Sequence, residues 1–338
     1  MVVATENLER SGLMSGSDQA YVVGQIQPAL EEITISEFFA RTVSRYPDRE
    51  ACIFCQSGER WTWSQLSQKV DQLAAGLLAL GVYKGDRVGI WSPNKPEWVL
   101  AQFATARIGA ILVNINPAYR RAELKYALVK VGVKVLITAG SFKTSNYLEM
   151  LNDLIPELAT CRPERLSSPE FPLLRSIIQI GVASHSGMFC FQEIIEKGTT
   201  AYLARVDGIS RKLFPDESIN LQFTSGTTGA PKAATLTHKN IVNNARFVAE
   251  SMQLTQKDKL CIPVPLYHCF GMVLGNLACV AEGTTMVFPG EGFDPVDTLE
   301  ALNEERCTGV HGVPTMFSAM LNCTGFGQYD LRSLRTGI

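Results

Sequence analysis

The chain has 338 residues and a formal net charge of −2, from 31 Lys+Arg against 33 Asp+Glu; 46 % of it is hydrophobic and 19 % charged. That composition excludes a disordered chain, and a balanced charge with no basic stripe argues against a nucleic-acid partner. No apolar run reaches the roughly 18 residues of a membrane-spanning helix, the best candidate, Gly271–Val280, being broken by Glu282 and Gly283.

At ~150 residues per domain the length predicts about two domains, with a core large enough to need no disulfide or metal staple. Residues 1–32 lack clear periodicity and read as an N-terminal arm. Glu6, Glu9 and Asp18 against a single Arg10 are wrong for a mitochondrial transit peptide, and there is no apolar signal segment, so the sequence alone places the chain in the cytoplasm. Ile35–Tyr46 predicts a helix with Ser36 as N-cap and Pro47 as its stop, and Ala51–Phe54 a short strand. A second helix follows, capped by Ser64, with Leu66, Val70, Leu73 and Leu77 at helical spacing and Gly81 beyond its end. Asp86–Trp91 is a strand, Pro96–Ile108 a helix stopped by Gly109, and Ala110–Ile115 a strand buried on both faces. Ala122–Val131 is helical and Lys134–Thr138 extended. This alternation predicts an α/β fold, a parallel sheet with crossover helices on its faces. Pro156–Pro172, rich in Pro, Ser and charge, predicts a surface excursion. Alternation then resumes with a strand at Lys259–Val264, a helix at Gly271–Glu282, a strand at Thr285–Phe288, a helix at Pro295–Glu305 and a strand at Gly309–Gly312.

Nine cysteines, odd in number and irregularly spaced, are expected to be reduced core thiols of an intracellular protein. Cys52-Ile-Phe-Cys55 has C-x-x-C spacing, but in a strand its thiols face opposite ways, and no second pair follows to complete a zinc site.

One segment stands apart, Leu221-Gln-Phe-Thr-Ser-Gly-Thr-Thr-Gly-Ala-Pro-Lys232. Gly226 and Gly229 let the backbone turn and approach a ligand with no Cβ in the way. Turned N–H groups form an anion-binding concavity. Thr224, Ser225, Thr227 and Thr228 add hydroxyl donors, and Lys232 adds a positive charge. A polyphosphate fits such a loop. The apolar strand Leu221–Phe223 leads in and Ala233–Leu236 leads out, which a solvated linker would not show. The pattern is neither Gly-x4-Gly-Lys-Ser/Thr nor G-x-G-x-x-G, and no G-x-S-x-G elbow occurs.

Thr224-Ser-Gly-Thr-Thr-Gly-Ala-Pro-Lys232 resembles the signature loop of the adenylate-forming enzymes: acyl-CoA synthetases, luciferases and nonribosomal adenylation domains. Pro265-Leu-Tyr-His-Cys-Phe-Gly271 and Gly312-Val-Pro-Thr-Met-Phe317 resemble the next two motifs of that family. Trp61–Ser64, Gly85–Val88 and Asn114–Pro117 resemble earlier ones. The resemblance runs from about residue 35 to the end and is strongest to the medium-chain fatty acyl-CoA synthetase branch.

It implies a two-step reaction: a carboxylate and ATP give acyl-AMP and pyrophosphate, and the thiol of coenzyme A then displaces AMP. It implies that Thr224, Ser225, Gly226, Thr227, Thr228, Gly229 and Lys232 hold ATP phosphates, with Mg²⁺ at Thr228. It also puts His268 beside the reacting carboxylate as the catalytic candidate and Phe270, Gly271, Val313, Pro314 and Thr315 in the acyl pocket. His238 and His311 are expected to be structural, His238 at a helix start beside Thr237. Apolar and aromatic walls with no fixed charge favour a fatty acid over an amino acid. The resemblance leaves a mitochondrial matrix location open and says nothing of oligomeric state.

Two positions depart from the family pattern. Ala233 stands where a glycine is usual, which matters only if its φ is positive. The sequence also reaches Ile338 without the family's adenine-binding turn, its ribose-gripping aspartate, or the C-terminal lid domain with its catalytic lysine. Residues 33–338 therefore read as a partial N-terminal adenylation domain, an inactive front part of a synthetase. The alternative is a non-catalytic nucleotide- or acyl-binding remnant.

Overall fold

The computed structural model of the chain describes residues 28–181, 185–224 and 231–338. Local chemistry sets its helix boundaries. The helix Ile35–Arg45 is capped by Thr34: its Oγ1 accepts the Glu37 N–H at 3.1 Å, and the Glu37 carboxylate accepts the Thr34 N–H at 2.8 Å. Thr62 and Gln65 form the same reciprocal box at the start of Trp63–Ala79. Ser36 and Ser64, the caps predicted from sequence, each stand two positions too late. A Thr with Glu or Gln three residues on satisfies two orphan N–H groups at once, which a serine without that partner cannot. Ser36 instead lies buried, its Oγ 2.6 Å from that of Ser210. The helix Pro96–Ile108 is framed as predicted, by proline in its first turn and by Gly109 at φ 69°.

The strands form two large sheets. One holds seven, in the order Lys232–Thr237, Ser218–Thr224, Ile111–Ile115, Arg87–Trp91, Val135–Thr138, Ser176–Gln179 and Phe189–Cys190. The other holds six, in the order Thr336–Gly337, Gly309–Val310, Lys259–Cys261, Thr285–Phe288, Glu50–Phe54 and Glu59–Thr62. Both are mixed and mostly parallel: Lys232–Thr237 and Glu59–Thr62 run antiparallel to their neighbours. The predicted α/β class holds. The strands predicted at Lys259–Val264 and Gly309–Gly312 are shorter than expected.

Alternation along each strand divides the core. Leu112, Val88 and Ile90 of the larger sheet and Cys52 and Phe54 of the smaller share one apolar cluster with the helices Ile35–Arg45, Trp63–Ala79 and Pro96–Ile108. The opposite face of the larger sheet, with Val113, Ile115 and Trp91, packs on Leu124, Leu128 and Tyr147. That of the smaller, with Ile53, Cys261 and Val287, packs on Leu299 and Leu302. Such side-to-side alternation is what a pleated strand covered on both faces requires.

Three expectations are corrected. The 156–172 stretch is not only a surface excursion, since Leu158, Leu166 and Phe171 are buried in the second cluster. The helix expected at Gly271–Glu282 starts at Phe270 and winds as a wide π-type helix to Leu277 before turning α-helical over Ala278–Glu282. All nine cysteines are free thiols, but only Cys52, Cys261, Cys279 and Cys307 are core residues, and Cys55 is exposed. Among the described residues no helix is long and apolar enough to cross a membrane.

The carboxyl ends of the two sheets are tied together by Asn94, which follows the strand Arg87–Trp91. Its Nδ2 donates to Val264 O at 3.0 Å and its Oδ1 accepts the Leu266 N–H at 2.8 Å. Its own N–H donates to Glu291 O at 3.0 Å, and Lys95 pairs with the Glu291 carboxylate. Replacing Asn94 by Ala strands a buried N–H and a buried C=O. It should cost about 2–4 kcal/mol in urea unfolding, and a loss below about 1 kcal/mol would show that the tie is dispensable.

Candidate active site

The two strands that flank the signature segment, Ser218–Thr224 and Lys232–Thr237, form an antiparallel pair. Ser218–Thr224 pairs in parallel with Ile111–Ile115, with Gln222 opposite Asn114, so Thr224 emerges at the same carboxyl edge as Trp91 and Ile115. Ligands of open α/β sheets bind at that edge. The return strand Lys232–Thr237 places Lys232 directly opposite Thr224. Both are exposed, and among the described residues Lys232 makes no ion pair. The exit is fixed by Tyr126, whose hydroxyl donates to Pro231 O at 3.0 Å. Ser225, Gly226, Thr227, Thr228 and Gly229 lie outside the described residues. Ala233 lies in extended strand backbone opposite Phe223, not in the left-handed region, so its methyl brings no strain.

The second motif follows the strand Lys259–Cys261. Pro265 O accepts the His268 N–H at 3.2 Å, and His268 O accepts the N–H groups of Gly271 and Met272 at 3.1 and 3.0 Å. His268 is exposed. Its Nδ1 accepts the Phe270 N–H at 3.1 Å, which leaves Nε2 as the hydrogen-bearing nitrogen of the neutral ring. Gly271 is buried, and a Cβ there would lie 2.4 Å from Pro265 O, so only glycine lets the turn close this tightly.

The third motif begins the helix Pro314–Leu321. Val313, Pro314 and Thr315 are exposed, while Phe270 packs its ring 5.0 Å from that of His311. Residues beside the three motifs meet in series: Gln222 Nε2 reaches Met272 Sδ, just past the second motif, and Phe270 reaches His311, just before the third. A cavity of about 310 Å³ adjoins Tyr267 at the carboxyl edge, lined also by Asn116, Pro117, Phe142 and Phe293.

The remaining titratable groups fit structural roles. His311 is buried, with Nε2 2.9 Å from Leu274 O, and burial holds its imidazole below the usual range. His238 starts the helix His238–Ser251 beside its cap Thr237, as expected, and accepts the Ile35 N–H on Nδ1 at 3.1 Å. Burial lowers its pKa to about 4. Burial also pushes the Cys52 thiol up, so it is not a thiolate at neutral pH. Among the described residues no group of three His, Cys, Asp or Glu side chains is placed to hold a metal ion.

Asn114 bonds Tyr267 O and Tyr126 bonds Pro231 O, while Asn220 and Gln222 stand behind Asn114 in the same series of bonds, and none of the four is among the predicted site residues. The available signal was polar amides inside otherwise apolar strands, which demand partners.

A family profile described as AMP-binding enzyme matches residues 39–338. The chain belongs to the AMP-binding enzyme family. It is 43 % identical over 321 residues to a zebrafish (Danio rerio) protein named medium-chain acyl-CoA ligase ACSF2, mitochondrial, covering 94 % of this chain and 53 % of that one. It is 44 % identical over 305 residues to the putative acyl-CoA synthetase YngI of Bacillus subtilis (strain 168), covering 90 % and 55 %. The chain spans about half the length of the curated relatives it matches. Its fold matches the anthranilate CoA ligase AuaEII, solved in complex with anthranoyl-AMP, at a TM-score of 0.77 and 24 % identity, covering 90 % of this chain and 54 % of that one.

The buried His238 sets a pH dependence on this fold. The unfolded chain takes up a proton at that imidazole near pH ~6.5, the folded chain only near 4. Stability is therefore full above ~6.5 and falls with pH between 6.5 and 4, by about 3 kcal/mol from this group alone, with His311 acting in the same direction. Urea midpoints measured across that window should flatten in His238→Gln, and an unaltered profile would contradict the assignment.

Proposed function

We propose that this chain supplies the phosphate side and the acyl side of an acyl-CoA ligase's adenylation domain. In that reaction a fatty-acid carboxylate attacks the α-phosphorus of ATP, forming acyl-AMP and releasing pyrophosphate. The coenzyme A thiol then attacks the acyl carbon, loses its proton, and releases AMP. The observation that carries this reading is the hairpin, which pairs Thr224 with Lys232 at the carboxyl edge of a parallel sheet. It brings a hydroxyl- and glycine-rich loop and a lysine with no ion pair among the described residues to the place where α/β folds bind phosphates.

In this reading the loop residues 224–229 donate to the β- and γ-phosphates and Lys232 neutralises their charge. Such positioning and neutralisation is what a protein contributes to phosphoryl chemistry. Mg²⁺ would enter with the nucleotide, with Thr228 its protein contact. In the same reading His268, with Nε2 as a donor, would hydrogen-bond a carboxylate oxygen, and Phe270, Gly271 and Val313–Thr315 would form the acyl side. The names carried by the zebrafish and Bacillus relatives support an acyl substrate, medium-chain in the former.

Two measurements test this. Calorimetric titration of Lys232→Ala with pyrophosphate or MgATP should show binding weaker by about 1.5–3 kcal/mol, the range for a hydrogen bond to a charged group; unchanged affinity would remove the loop from the site. In a protein that continues this chain through a complete adenylation domain, octanoate should be activated in preference to any amino acid. The reverse preference would overturn the acyl reading.

A further inference from the structure

Strands covered on both faces are ordinarily apolar inside, yet Asn114, Asn220 and Gln222 are buried in two adjacent strands at 2 %, 2 % and 6 % exposure. They are bonded in series. Gln222 Nε2 donates to Asn220 Oδ1 at 2.9 Å. Asn220 Nδ2 donates to Asn114 Oδ1 at 2.9 Å and to Leu112 O at 3.0 Å. Asn114 Nδ2 donates to the Tyr267 carbonyl at 3.0 Å. The last bond dictates the direction of all the others. A backbone carbonyl only accepts, so Asn114 must turn its amino group to Tyr267 and its carbonyl to Asn220, and Asn220 must then present its own carbonyl to Gln222. Met272 closes the circuit, its Sδ 3.5 Å from Asn114 Nδ2 and 3.9 Å from Gln222 Nε2.

The two ends of this chain are the two halves of the site. Gln222 stands two residues before Thr224 on the strand that carries the phosphate loop. Tyr267 precedes His268, and its carbonyl lies within the turn that His268 and Pro265 close. Apolar side chains of similar size would fill the same space, but they could not fix the angle of one carbonyl against a strand 45 residues away in sequence. A series of amide bonds does so because each bond here has one workable orientation. We propose that Asn114, Asn220 and Gln222 are positioning residues that hold the His268 turn in register with the phosphate-loop hairpin, so that ligand binding at one is felt at the other. This rests on reading the two segments as parts of one active site.

Asn114→Asp is the discriminating variant. It keeps the shape of the side chain and its acceptor for Asn220 but lacks the hydrogen given to Tyr267 O. In the 338-residue chain at pH 8, hydrogen exchange at the Gly271 and Met272 amides, expressed relative to wild type, should quicken at least ~10-fold. As the pH falls and the introduced carboxyl is protonated, it again offers a hydrogen and the ratio should return towards one. Asn114→Ala has no hydrogen to offer and should stay fast at every pH. Gln222→Leu, at the far end of the series, should quicken the same amides, and it carries the comparison if the first variant does not fold. The double variant of Asn114→Ala with Gln222→Leu should fall short of the product of the two effects. Amides of the helix Trp63–Ala79 report global opening. Wild-type exchange in Asn114→Asp at pH 8, no recovery at low pH, or equal loosening of that helix would each overturn the relay. Pyrophosphate titrations with and without octanoate then read the coupling, which should be present in wild type and lost in Asn114→Asp. A wild-type chain that binds neither ligand would defeat the functional reading of the site, while the exchange ratios would still decide the relay.

Discussion

The site depends on two parallel sheets presenting their carboxyl edges to one another. Each sheet is held by its own ladders, and one face of each shares an apolar cluster that keeps the two together without setting the register of individual backbone atoms. Buried side-chain amides supply that constraint. Asn94 reaches from the larger sheet to the backbone at Val264 and Leu266, and Asn114 reaches to Tyr267, so the segment leading to His268 is pinned twice by the sheet whose strands flank the proposed phosphate loop. Hydrophobic burial gives the cohesion, being non-directional. Directional bonds to single backbone atoms give the register, and because these groups are buried, leaving one unmade is expensive.

This division of labour explains the composition of the strands around the site. Val88, Ile90 and Leu112 face one apolar cluster, and Val113 and Ile115 face another. Asn114, Asn220 and Gln222 interrupt that pattern only where the smaller sheet's segment passes over the larger. The π-type winding of Phe270–Leu277 falls in the same place. With Gly271 lying against Pro265 O, it brings Met272 within reach of both Asn114 and Gln222.

Most of the fold could be read from local chemistry, since the signals were local. Pro96 and Gly109 bracket a helix whose ends they determine by their own φ preferences, and Ile111–Ile115 declares itself by an apolar run that only Asn114 interrupts. The caps at Thr34 and Thr62 were missed in favour of nearby serines, although the Glu and Gln three residues on were visible. The reciprocal bond, not the hydroxyl alone, decides a cap. The burial of Leu158 and Phe171 and the π-type winding depend on partners distant in sequence and leave no local trace. At the candidate site, the apolar runs flanking Thr224 and Lys232 were legible, and their antiparallel pairing is what the structure adds. The amides behind it were not, because Asn220 meets Asn114 across 106 positions and Asn114 meets Tyr267 across 153. Composition shows that such residues need partners without showing which.

The pairing of Glu50–Phe54 with Thr285–Phe288 has a consequence in time as well as in space. A strand near the start of the chain finds its parallel neighbour roughly 230 residues later. At ~5–20 residues per second of synthesis, that neighbour emerges about 10–50 s after the first strand. All seven strands of the larger sheet, the last ending at Thr237, emerge before then, so that sheet can assemble early. Until Thr285–Phe288 arrives, Glu50–Phe54 has only its short hairpin partner Glu59–Thr62, and its other edge stays open to whatever else could pair with it. The smaller sheet, and with it the His268 side of the site, is therefore the late-forming part, and the interval before it closes is when a nascent chain is most exposed to mispairing.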